Sequence, residues 1–153
     1  MVLSRQNVPT LDRTRFASAA GTAQGAYILL DSAESPQVIL MGSGTELPIC
    51  VAAAQQLSDE GIRTRVVSMP SWELFEMQDE AYRHRVLPPQ VTARVACEAG
   101  VRQGWDRYLG FQGAFVGMST FGASAPFEQL YEHFGLTPAA VVAAARQQLA
   151  NQA

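Results

Sequence analysis

A chain of 153 residues, 48% of them hydrophobic and 16% charged, has the length and composition of one globular domain with a real core. Its net charge of −3 comes from interspersed acids and bases, which excludes the basic field that holds nucleic acid. No run approaches the ~18–20 apolar residues of a membrane span, and all eleven basic residues are arginine, so lysine Schiff-base and P-loop chemistry are excluded in this chain.

Residues Leu11 to Gln24 are small and polar with no clear period, which predicts an irregular lead-in. Gly25 to Leu30 is a short apolar run suited to an edge strand, and Asp31 to Pro36 reads as a turn. Gln37 to Met41 predicts a buried strand closed by Gly42-Ser43-Gly44. A helix is expected from about Thr45 to Glu60, with Leu47, Val51, Ala54 and Leu57 on one face and Gly61 ending it. Arg63 to Met69 gives the next strand, stopped by Pro70. Two short helical pieces follow, one opened by Ser71-Trp72-Glu73 and one from Gln78 to Val86, before Pro88-Pro89. Thr92 to Cys97 is a strand, Trp105 to Leu109 a short helix, and Gly113 to Gly117 a further strand. A helix runs from Ala125-Pro126 through Phe134. Thr137 and Pro138 open the last one as N-cap and first helical residue, and Val141, Val142, Ala145 and Leu149 form its apolar stripe. Strands alternating with helices predict an α/β domain with a mostly parallel sheet covered on both faces.

Several local patterns bear on chemistry. Gly42-Ser43-Gly44-Thr45-Glu46 leads from strand to helix, where backbone amides can receive an anion. Leu47 stands where a dinucleotide fingerprint needs its third glycine, and Glu46 repels phosphate. A tight turn with Thr45 or Ser43 as helix cap is the expectation. Glu73, Glu76, Asp79 and Glu80, with His84 downstream, read as a solvated face on which Asp79 and Arg83 pair at i, i+4. Neither His84 nor His133 lies near a nucleophile elbow. Gly104 to Gly110 mixes aromatics with charge and fits either an interface anchor or core packing. The hydroxyls of Gly117 to Pro126 fit either a ligand or their own backbone. Cys50 and Cys97 fall in apolar runs without metal-ligand spacing, which predicts buried reduced thiols and a cytoplasmic setting. The start from Met1 to Gln6 lacks the charged and apolar regions of a secretory signal.

Three long words stand in order: VVSMPSWELFEMQDEAYRHRVLPP from Val66, TARVACEAGVRQGWDRYLG from Thr92, and GAFVGMSTFGASAP from Gly113. With Leu3-Ser4-Arg5-Gln6-Asn7 before them, they closely resemble the carboxy-terminal domain of transketolase, a thiamine-diphosphate enzyme that moves two-carbon ketol units between sugar phosphates. The resemblance implies a three-layer α/β/α domain with a mostly parallel mixed sheet of about five strands. It further implies that residues 1–24 are the end of a preceding pyrimidine-binding domain plus linker, and 25–153 the carboxy-terminal domain. In that family the arginine matching Arg5 helps hold the substrate phosphate, and the glycine turn at Gly42 is not the cofactor site. Thiamine diphosphate and its Mg2+ or Ca2+ belong to the two earlier domains of a homodimer. The Gly-Asp-Gly start of the cofactor motif does not occur in this sequence, and neither histidine matches the family's histidine-rich centre. No catalytic, cofactor or metal residue is therefore assigned here, and the chain alone is expected to be an inactive, dimer-supporting piece of the enzyme. Two alternatives stay open. One is a small-anion-binding regulatory module using Gly42 to Thr45 or Ser119 to Ser124, and the other a subunit of a split thiamine-diphosphate enzyme. Arg5 so near the start favours a truncated chain over the split form.

Overall fold

A computed structural model describes residues 4–152. Its five-stranded sheet has the order β1-β3-β2-β4-β5, with β1 Tyr27–Leu30, β2 Val38–Gly42, β3 Thr64–Ser68, β4 Arg94–Cys97 and β5 Ala114–Val116. Only β1 runs antiparallel, against β3, and the other three pairings are parallel. The apolar run from Gln37 produces the central strand, and all five residues of β2 are buried. Along it Val38 and Leu40 face one core cluster while Ile39 and Met41 face the other, as a strand's twofold alternation requires.

Helices cover both faces. On one side lie α1 (Leu47–Asp59) and α6 (Pro138–Ala150), whose buried Ile49, Cys50, Ala53, Leu57, Val141, Val142 and Ala145 pack over Leu40, Val66 and Val95. Tyr131 and Phe134, at the end of α5 (Phe127–His133), lean on the same cluster. On the other side are α2 (Trp72–Glu76), α3 (Glu80–Val86) and α4 (Asp106–Leu109), which contribute Phe75, Tyr82, Val86, Tyr108 and Leu109, together with Trp105. Trp72 meets Trp105 edge-on at 5.4 Å, and Phe75 and Tyr108 extend that aromatic layer. The arrangement is the expected three-layer α/β/α domain.

The local signals act as chemistry dictates. Thr137 Oγ1 accepts from the Ala140 amide, and Ser71 Oγ from the Leu74 amide. Gly25 holds φ +82°, and a Cβ there would stand 2.2 Å from the Phe75 amide nitrogen. No other residue type fits where β1 begins against α2.

Some expectations are corrected. The lead-in contains a 3-10 helix, Ala19–Gln24, because Ser18 caps it by accepting from the Ala20 amide. The helix expected from Thr45 begins as a 3-10 turn, Gly44–Glu46, and neither Ser43 nor Thr45 caps α1. Their hydroxyls are held by carboxylates instead. The predicted Asp79–Arg83 pair does not form: Asp79 caps α3 by accepting from the Tyr82 amide at 2.7 Å, so α3 starts at Glu80. Arg83 turns to Glu76 at 3.4 Å. Glu76, which Arg107 also reaches at 2.9 Å, is three-quarters buried and not part of a solvated face.

Candidate functional site

In the sheet, the chain passes from β2 to β3 on one side and then to β4 on β2's other side. Such a reversal leaves a crevice outside the carboxyl ends of the two diverging strands. Ser43, immediately after β2, and Glu98, immediately after β4, meet across it, with the Ser43 hydroxyl donating to Glu98 Oε2 at 2.8 Å. Burial pushes the Glu98 carboxyl up, partly offset by the Ser43 hydrogen bond, and Glu46 pushes it further upward. Beside them opens a cleft of about 180 Å³, lined by Ser43, Ser71, Trp72, Glu73, Glu98 and Trp105.

A second polar group adjoins the first. Glu46 is 3% exposed, yet its carboxylate accepts from Thr45 Oγ1 at 2.8 Å and from the Tyr131 hydroxyl of α5. Gln6 Nε2 donates to the same tyrosine oxygen at 3.0 Å. Burial first, and the Glu46 carboxylate second, push the Tyr131 hydroxyl up to about 12. It therefore remains a donor to Glu46 at any physiological pH. Through this relay the segment preceding the lead-in is fastened to the carboxyl end of the sheet. Beneath it, Cys50 and Cys97 are buried free thiols. The Cys97 thiol, with complete burial, pushes Cys50 well up, so it is a packed thiol rather than a nucleophile.

The predicted residues distribute unevenly over this frame. Arg5 is exposed and stands one position before Gln6, which brings it to the carboxyl end of the sheet; Leu3, first of its motif, lies outside the described residues. The Gly42 to Thr45 turn is ringed by Glu46 and Glu98, so its hydroxyls point to carboxylates and its field repels phosphate. In the segment from Gly104 to Gly110, Trp105, Tyr108 and Leu109 are buried, which decides for core packing. In the loop from Gly117 to Pro126, residues 119–126 are exposed and Thr120 Oγ1 donates to the Phe121 carbonyl. His84 and His133 are both exposed, against Glu80 and the Phe134 ring respectively. Sequence reasoning missed Glu98 and Tyr131, because only the tertiary crossing of β2, β4 and α5 brings them together. Among the described residues no group of three or more His, Cys, Asp or Glu side chains could hold a metal ion. No helix among them is long and apolar enough to cross a membrane.

Comparison with known proteins agrees with this frame. Residues 25–137 match the model of the transketolase-like TK C-terminal domain. Transketolase 1 of Escherichia coli is 50% identical over 149 residues, 97% of this chain and 22% of that protein. The chain thus spans about a fifth of the length of the curated relatives it matches. Among solved structures, a transketolase from Leishmania mexicana superposes with a TM-score of 0.81 at 44% identity, over 88% of this chain and 19% of that one. A transketolase from Pichia stipitis in complex with sedoheptulose 7-phosphate superposes with a TM-score of 0.85 at 30% identity, over 96% of this chain and 21% of that one.

Proposed function

Because this chain belongs to the transketolase family, as its C-terminal domain, we propose that it works as one part of a larger ketol-transferring enzyme. Its own task is docking, and the chemistry belongs to the rest of that enzyme. The enzyme would move two-carbon units between sugar phosphates, with thiamine diphosphate supplying the carbanion stabilisation. The donor set here does not fit that cofactor's divalent ion: the carboxylates at the carboxyl end are engaged by Ser43, Thr45 and Tyr131. We therefore place cofactor and metal in preceding domains, and read residues 1–24 as the end of the nearer one plus the linker from it. Homodimer formation by the whole enzyme belongs to the same proposal. The buried thiols Cys50 and Cys97 support a reducing, cytoplasmic setting.

The observation that carries the reading is the Gln6–Tyr131–Glu46 relay. It fixes the incoming segment, with Arg5, at the end of the sheet where apolar side chains stand uncovered. Val101 follows β4, while Phe121 and Phe127 follow β5, and they are 57%, 98% and 36% exposed. Apolar side chains left in water beside an anchored chain entry fit a face covered by neighbouring domains. The guanidinium of Arg5 would project from that junction and hold a sugar phosphate through two parallel hydrogen bonds.

A complementation assay tests this. The chain alone, given thiamine diphosphate, Mg2+ and sugar phosphates, is expected to transfer no ketol units and to show no saturable cofactor heat in calorimetry. Mixed with a separately expressed fragment holding the preceding domains, it is expected to restore transfer. Cofactor-dependent transfer by the chain alone would overturn the proposal.

A further inference from the structure

A sizeable cavity lies away from the carboxyl-end network. It opens beside the start of β4, at the opposite end of that strand from Glu98, between α2, α3 and α4, and has a volume of about 560 Å³. That size is typical of a small-molecule site. Three features of its lining are not consumed by the fold.

Tyr108 is 4% exposed, and its buried hydroxyl makes no hydrogen bond although the Glu76 carboxylate is its neighbour. Buried polar groups without a partner are rare and costly. Arg83 and Arg107 both reach Glu76 Oε2, at 3.4 and 2.9 Å, so two positive charges face one negative. Each guanidinium carries five N–H donors, most of them left over after that contact. Arg94 adds little, since backbone carbonyls take up four of its five donors. Finally, Phe111 at the rim is fully exposed, beside an inner wall that includes Phe75, Leu87 and Leu109. An aromatic ring held in water packs against nothing in this chain.

We propose that this cavity binds a small amphiphilic anion, an anionic oxygen group on an aromatic or aliphatic body. The anionic oxygens meet Arg83, Arg107 and the Tyr108 hydroxyl, while the apolar body lies along Phe75 and Leu109 under Phe111. Burial and the Glu76 carboxylate push the Tyr108 hydroxyl up to about 12, which keeps it a donor. Glu76 competes with the ligand for both arginines, and this gives the proposal a signature of opposite signs.

The test is a 1H–15N NMR titration of the 153-residue chain with phenyl phosphate, read at every amide. Saturable shifts confined to α2, α3, α4 and the segment around Phe111 are expected at low-millimolar ligand. Arg107→Gln should weaken binding about tenfold, the loss of one charge-assisted contact. Glu76→Gln should tighten it, and Phe111→Ser should bring the affinity for phenyl phosphate down toward that for inorganic phosphate. Arg107 and Phe111 are exposed, so these variants keep the fold, which the same spectra verify. Absence of saturation, shifts centred on the carboxyl-end loops instead, or an affinity indifferent to Arg107→Gln and Glu76→Gln would overturn the assignment.

Discussion

At the scale of single residues, the carboxylates of the carboxyl-end network report most directly on the fold. Glu46 is buried with two hydroxyl donors, and Tyr131→Phe removes one of them. A buried acceptor deprived of its partner typically costs about 1–3 kcal/mol, so urea denaturation should show a loss of that size. Glu98 acts through pH. Its folded-state carboxyl lies above the ordinary 4.5, chiefly through burial, so near that value the folded state holds a proton that the unfolded state has released. Stability therefore falls as pH rises from about 4.5 through the raised value. Glu98→Gln should flatten this decline and leave the protein more stable at neutral pH than its parent, as measured by melting temperature across a pH series. Arg5 belongs to a different test, in the whole enzyme: Arg5→Ala should raise KM for sugar phosphates at least tenfold, since hydrogen bonds to charged groups contribute about 1.5–3 kcal/mol. An unchanged KM would remove Arg5 from the substrate site.

At the scale of elements, two glycines separate backbone conformation from crowding. Gly61, at the end of α1, holds φ +79° with open space around its missing Cβ, whereas Gly25 holds φ +82° with the Phe75 amide 2.2 Å away. Gly61→Ala should cost only the left-handed backbone term of about 1–2 kcal/mol. Gly25→Ala adds a clash with the backbone of α2 and its capping Ser71, and should cost clearly more or prevent folding. The same contrast explains what the sequence revealed. Gly61 was legible as a helix stop and Thr137-Pro138 as a helix start, because those signals act within a few residues of themselves. The strands were legible from apolar runs, and the sheet's mostly parallel character followed from their alternation with helices. The site was less so. Asp79 looked like a partner for Arg83, yet the amides at the start of α3 bound it more closely. Ser43 and Thr45 looked like caps until Glu98 and Tyr131 arrived from 55 and 86 residues away. Contacts of that range leave no periodicity to read.

At the scale of the whole molecule, the two sheet edges differ in kind. β1 closes one side with an antiparallel pairing to β3, and Asp31, just past its end, holds Arg65 through two hydrogen bonds of 3.0 and 2.7 Å. β5 closes the other with three half-buried residues and is followed by an exposed loop carrying Phe121. A short strand with an open edge and a bare aromatic beside it is a surface that pairs or becomes covered. If neighbouring domains cover it in the whole enzyme, the isolated chain should associate through it. Sedimentation velocity across a wide concentration range should then show a concentration-dependent oligomer, and Phe121→Ser with Val101→Ser should shift it toward monomer. The same double substitution should weaken complementation by the preceding domains, because one face serves both contacts. A clean monomer at high concentration, together with full complementation by the double variant, would place the docking face elsewhere on the domain.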